Sequence, residues 1–135
     1  MQFADTNVLL YSISTDPAEE TKAERARQIL GDRDLRLSVQ VLQEFYVQAT
    51  RAGRAYPLTH EQASALVESF LRFSVQDTTK AVLLAALTTR ARFGISYWDA
   101  AIIEAARLSG AEVVLSEDLQ DGQDFGGVRV ENPFK

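Results

Sequence analysis

The chain contains no cysteine, which excludes disulfide staples, thiolate nucleophiles and sulfur-ligated zinc together. It has one histidine, His60, so a multi-histidine metal site cannot be assembled. No Ser, Cys or His nucleophile stands in a triad context. There is no run of about 18 apolar residues, and no transmembrane helix is expected. The first residues lack a basic stretch leading into an apolar core, so no secretory signal is expected and a cytoplasmic address is the default. Cations are in the minority, 14 Lys and Arg against 19 Asp and Glu, for a net charge of −5. That balance argues against a bulk electrostatic hold on nucleic acid. It does not exclude a metal-dependent nuclease, because cations bound by a cluster of acids would offset much of the negative charge.

What is present is a chain of 135 residues, 46% apolar, the size of one domain spanning 1–135. Phe3-Ala4 reads as a short strand handing over to a helical turn or two from Asn7 to Ile13. Thr15-Asp16-Pro17 starts the next helix, with Pro where its missing N–H costs nothing. Its stripe is Ala23, Ala26, Ile29 and Leu30, and Gly31 stops it. Leu35-Arg36-Leu37 fits a second strand, and Ser38 caps a helix with the stripe Leu42, Phe45, Tyr46 and Ala49. Thr59 and Gln62 have capping-box spacing ahead of Ala63, Leu66, Val67, Phe70 and Leu71.

Phe73-Ser74-Val75 is a third strand candidate. Asp77 or Thr78 caps a helix carrying Val82, Leu83, Ala86 and Leu87, closed by Gly94. Ser96 opens a helix running to about Ser109. Val113-Val114-Leu115 is an apolar run of the kind found in strands buried on both faces. Val128-Arg129-Val130 is a short last strand. Strands separated by helices or helix pairs imply crossovers and a parallel sheet. The expected fold is α/β, a three-layer α/β/α sandwich with a mostly parallel central sheet of about four to five short strands.

Four acids stand out. Asp5 follows the first strand, where open α/β sheets gather ligands, although Asp, Thr and Asn there also make a good helix cap. Asp118 lies just past the Val113–Leu115 strand in a stretch that also reads as a polar loop closing on Gly122. Asp99 sits three residues after Ser96, a capping-box spacing that explains both locally. Glu44 falls opposite its helix's apolar stripe, the position of a solvated side chain and equally of one facing a polar crevice. If they meet, four acids without thiols or histidines make an all-oxygen site suited to Mg²⁺ or Mn²⁺.

The stretches Phe3-Ala4-Asp5-Thr6-Asn7, Ser38 with Glu44, Ser96-Tyr97-Trp98-Asp99-Ala100-Ala101 and Leu115-Ser116-Glu117-Asp118-Leu119-Gln120-Asp121-Gly122 span the chain. Together they resemble PIN-domain ribonucleases, and within them the VapC-type toxins of toxin–antitoxin pairs. The resemblance implies that Asp5, Glu44, Asp99 and Asp118 hold Mg²⁺ or Mn²⁺ for RNA phosphodiester hydrolysis. It implies that Thr6 and Asn7 orient Asp5, and it matches Ser116 to the small hydroxyl residue usual at that strand end. It further implies a homodimer and a cognate antitoxin that blocks the site.

Glu117 and Asp121 crowd the fourth position, and Asp118 is the preferred ligand there. Arg51 and Arg54, and Arg90 and Arg92, offer an RNA path, though each pair also reads as solvated cations at a helix end. Tyr97 and Trp98 are candidates for stacking, with Trp98 more readily placed in the core. Two other readings compete. One is a non-catalytic binding module that keeps the fold. The other is an aspartyl-phosphate phosphotransferase or phosphatase using Asp5, for which Asn7 stands where a second Asp belongs.

Overall fold

A computed structural model describes all 135 residues. Five short parallel strands form one sheet, β1 (Gln2–Ala4), β2 (Arg36–Ser38), β3 (Ser74–Gln76), β4 (Val113–Leu115) and β5 (Arg129–Glu131), in spatial order β3-β2-β1-β4-β5. Six helices cover it: α1 (Thr6–Ser12), α2 (Glu20–Ile29), α3 (Val39–Ala49), α4 (His60–Phe70), α5 (Lys80–Phe93) and α6 (Tyr97–Leu108). The α/β/α expectation holds. β2 and β3 begin one residue later than the sequence suggests, and so does β5.

The strand order reverses direction at β1. One crossover leads outward through β2 to β3, and the other side is filled by β4 and β5. The crevice past the carboxyl ends of β1 and β4 is therefore the switch point where such sheets place ligands. Register fixes what meets there. Ala4 pairs with Leu115, so Asp5 and Ser116 leave adjacent strands side by side. The Asp5 N–H still donates to the Leu115 carbonyl at 3.0 Å.

The core cluster of 26 buried residues includes Phe3, Leu37, Val114 and Val130 from the strands and Leu9 and Phe45 from the helices around them. Phe45 meets Phe70 edge-on with centroids 5.2 Å apart, tying α3 to α4. A side chain of this size contributes about 1.5–3 kcal/mol when fully removed from water. The Thr59–Gln62 capping box forms in both directions. Gly94 ends α5 at φ +68°, a left-handed cap that favours glycine.

Two expectations fail at α5. Its cap is Thr79, whose hydroxyl accepts from the Val82 N–H. Its buried residues are Val82, Ala86 and Thr89, while Leu83, Leu84 and Leu87 face outward. The helix seats on α6 through small residues, Ala86 against Ala100 and Ala101. Close approach of this kind leaves the leucines of the other face uncovered. The end of α6 is secured by Glu104, which is buried and accepts from Thr89 Oγ1 at 2.8 Å and Arg107 Nε at 2.9 Å. Arg107 in turn donates to the carbonyls of Phe125 and Gly126, fastening the loop before β5.

Candidate metal centre

Asp5 caps α1, as one of its two sequence readings expects, and stands where β1 and β4 leave the sheet. Its Oδ1 accepts from the Thr6 N–H at 2.7 Å and its Oδ2 from Ser116 Oγ at 2.7 Å. Ser116 is fully buried and acts as a hub. Its oxygen also accepts from Asn7 Nδ2 at 3.2 Å and from the Asp118 N–H at 3.1 Å. Asn7 Nδ2 donates to Asp118 Oδ2 at 3.1 Å as well. The chain beyond β4 is thereby tied to the chain beyond β1 by side chains alone.

Glu44 reaches the same crevice from the second turn of α3. Its two oxygens accept from Thr6 Oγ1 at 2.8 Å and Gln40 Nε2 at 2.7 Å. Gln40 also donates to the Trp98 carbonyl at 3.1 Å, which joins α3 to the start of α6. The residue-by-residue orientation therefore differs from expectation. Thr6 steadies Asp5 through its backbone while its hydroxyl serves Glu44, and Asn7 serves Asp118 and reaches Asp5 only through Ser116. Gln40 was not identified from the sequence. Its spacing of four from Glu44 on a helix was the available signal.

Asp99 stands on the first turn of α6. Ser96 accepts from the Asp99 N–H at 3.1 Å without the reciprocal bond to the Ser96 N–H, so only half of the capping box forms. That leaves the Asp99 carboxylate available to the crevice. Burial raises its pKa, the Ser96 hydroxyl works against that, and the negative charges of Asp118 and Glu44 raise it further. Asp5 is only 6% exposed, and burial is again the main cause of its rise. Ser116 and the Thr6 N–H lower it, Glu44 and Asp118 raise it, and the carboxyl ends near pH 6. No cation acts on either group.

The two extra acids of the β4–β5 loop are accounted for elsewhere. Glu117 accepts from Lys22 Nζ at 2.9 Å and from the Tyr11 hydroxyl. Asp121 pairs with Lys135 at 2.6 Å and accepts from the Asn132 N–H. Asp118 alone of the three bonds toward the Asp5 network. Trp98 is 65% exposed, a correction to its expected core position, and its ring leans edge-on against Tyr97. As the second residue of α6 it stands outside the sheet's cover. Arg90 and Arg92 lie in the last turn of α5, the Arg92 guanidinium over the Phe93 ring.

As drawn, no three of the acids close into a ready-made cage. Each held oxygen is instead occupied by a hydroxyl, amide or backbone donor. The donor set nevertheless fits a hard divalent ion. All ligand atoms are oxygen, the acids repel one another without a compensating cation, and Mg²⁺ in particular binds through one or two carboxylates while keeping several waters.

The fold defines the chain as a parallel three-layer α/β/α protein, with Asp5 and Ser116 side by side where β1 and β4 leave the sheet. The PIN-domain family profile matches residues 3–120. The chain belongs to the PIN-domain family. Comparison with curated protein sequences gives no significant match. Among solved structures, it resembles a DNA-bound VapBC from Salmonella typhimurium, with 25% identity over 98% of this chain and 97% of that one, TM-score 0.69. A toxin–antitoxin complex from Klebsiella pneumoniae aligns at 19% identity over 98% of both chains, TM-score 0.70. A sarcin–ricin-loop-cleaving VapC toxin of Mycobacterium tuberculosis aligns at 18% identity over 93% of this chain and 92% of that one, TM-score 0.65.

Proposed function

We propose that the protein is a Mg²⁺- or Mn²⁺-dependent endoribonuclease that hydrolyses RNA phosphodiester bonds and acts as the toxin of a type II toxin–antitoxin pair. The observation that carries this reading is the hydrogen-bonded network that joins Asp5 to Asp118 through Ser116 and Asn7 and sets Glu44 on Thr6 beside it, with Glu44 and Asp118 also acting on Asp99 and no cation among the groups that act on Asp5 or Asp99. Those four residues would hold the metal. When bound, the ion polarises the scissile phosphate and lowers the pKa of an attacking water.

The chain's own contribution is placement. Ser116 and the Thr6 N–H fix both Asp5 oxygens, and Thr6 Oγ1 with Gln40 fixes both of Glu44. Asn7 holds Asp118 on the crevice side. Asp5, whose carboxyl is pushed up to about 6, is the acid that gives up a proton as a cation enters. Binding therefore weakens as pH falls below about 6, where the Asp5 carboxyl is protonated.

The toxin assignment is supported by the company the fold keeps, structures described as a toxin–antitoxin complex and as VapBC bound to DNA. It extends to a cognate antitoxin and a homodimer, and to action in the cytoplasm. No helix is long and apolar enough to cross a membrane. The outward leucines of α5 and the apolar groove between α3 and α4 are surfaces that suit protein partners. The test is cleavage of a mixed RNA substrate by purified protein. Cleavage in Mn²⁺ that stops in EDTA and in Asp5→Asn, Asp99→Asn and Asp118→Asn supports the reading. Undiminished cleavage in EDTA, or none by wild type in either metal, overturns it.

A further inference from the structure

Two adjoining cavities lie beside the acid crevice and share Arg54 and Glu19. The smaller, 170 Å³, is reached at Asn7, the residue that bonds Asp118. The larger, 230 Å³, is lined by Arg51, Arg54 and Tyr56 on the α3–α4 loop and by Ser14, Asp16 and Glu19 opposite. Arg51 and Arg54 belong to none of the ion pairs in the structure, which join Lys22–Glu117, Arg107–Glu104, Arg129–Glu131 and Lys135–Asp121. Arg54 Nε has no hydrogen-bond partner. Tyr56 is 65% exposed and is the one non-glycine residue with positive φ, 58°. Such conformations cluster at ligand sites.

The chemistry of the lining selects among ligands. Two arginines face two carboxylates, so the cavity carries no net charge, and a phosphate would gain from one side and be repelled by the other. Asp16 Oδ1 accepts from the Ala18 N–H and Glu19 Oε1 from Ser14 Oγ, which leaves one acceptor oxygen on each acid. A neutral group offering acceptors on one edge and donors on another satisfies both sides. Unpaired nucleobases are such groups, and proteins read them by edge hydrogen bonds while stacking them on aromatic rings. Guanine fits most fully. Its O6 and N7 accept from an arginine fork, and its N1–H and N2–H₂ donate to a carboxylate.

Resting on the ribonuclease reading, we propose that this cavity binds one unpaired guanine of the RNA, next to the cleavage position, with Arg54 on the O6/N7 edge and Tyr56 stacking on the ring. Arg54 and Tyr56 are then specificity residues rather than catalytic ones. A single base held there, joined through Arg54 to the smaller cavity at Asn7, sets which phosphate reaches the acids.

The test reads binding without metal and without cleavage, so it can fail while the nuclease reading stands, and the reverse. Amide NMR spectra of the intact protein in EDTA are followed with guanosine, adenosine, cytidine and uridine 5′-monophosphates and with inorganic phosphate. Guanosine monophosphate is expected to shift residues 51–56 and the Asn7 side chain, binding at least tenfold more tightly than the pyrimidine nucleotides. Arg54→Gln removes that preference, and Arg54→Lys, which keeps the charge but not the fork, removes it too. Tyr56→Ala weakens all bases several-fold. Equal binding of all four nucleotides overturns the proposal, as do the same shifts with phosphate alone or a guanine preference retained in Arg54→Lys. Binding of no nucleotide at all also overturns it and leaves the cavity to a protein partner.

Discussion

Replacing Asp5 by Asn should make the metal-free protein more stable at neutral pH while abolishing metal-dependent activity. The carboxyl is 6% exposed and its pKa is pushed up to about 6, from an ordinary 3.8. Because the folded value is raised, the native state binds the proton more tightly than the unfolded chain does. Stability from this group is therefore fully present below about pH 4 and is lost as pH rises through 6. The gap between the two values corresponds to about 3 kcal/mol. Asparagine avoids that cost but loses one of the two acceptors, since it cannot take bonds from both Thr6 and Ser116, which costs about 1 kcal/mol. The net gain at pH 7 is about 2 kcal/mol, or a rise in Tm of roughly 6 °C for a domain of this size. Urea unfolding of both proteins in EDTA between pH 3.5 and 7.5 measures it. The gain should shrink as pH falls, cross zero between pH 4 and 5, and become a loss of about 1 kcal/mol below that. A variant less stable than wild type at pH 7, or a difference that does not change with pH, would refute the account of Asp5.

Asp118→Asn should weaken Mn²⁺ binding at least tenfold by calorimetry, whereas Glu117→Gln should leave it within about threefold, because Glu117 is committed to Lys22 and Tyr11. Thr6→Val removes the hydroxyl that holds Glu44 while keeping the backbone bond to Asp5. Metal affinity should drop about tenfold with a stability change under about 1 kcal/mol, and a change in stability alone would argue that Glu44 takes no part. Arg107→Ala leaves the buried Glu104 carboxylate with Thr89 as its remaining partner and frees the Phe125–Gly126 carbonyls. It should cost about 2–4 kcal/mol in denaturant unfolding without altering metal affinity, since it acts at the far end of α6.

Asp5, Asp99 and Asp118 stand out in the sequence because each follows a strand or opens a helix, and register does the rest. Asp5 and Ser116 are adjacent because Ala4 pairs with Leu115, which no local pattern reveals but a parallel β1–β4 pairing requires. Glu44 was ambiguous because a helical wheel separates apolar from polar faces and cannot tell a crevice from bulk water. Its partners, Thr6 Oγ1 and Gln40, resolve the question only in three dimensions. The face of α5 was misread for a related reason. Val82, Leu83, Leu84, Ala85, Ala86 and Leu87 are apolar nearly all round, so periodicity offers no choice between faces. The choice was made by Ala100 and Ala101 on α6, which admit Ala86 closely and turn the leucines outward. Hydrophobicity alone places Trp98 in the core, yet in the first turn of α6 it is exposed.

Every donor that steadies an acid comes from a residue with its own anchor in the fold. Thr6 is fixed by the α1 turn, Ser116 by the end of β4, and Gln40 by the Trp98 carbonyl. These donors soften the repulsion between carboxylates without cancelling it, because neutral groups cannot supply the positive charge that the cluster lacks. Burial is the main cause of the raised pKa values of Asp5 and Asp99, and the neighbouring carboxylates add to it. On the proposed reading, a divalent cation held by these side chains would offset the cost of keeping them ionised, so ion binding would stabilise the fold, and a rise in Tm with added Mn²⁺ that is lost in Asp5→Asn checks it.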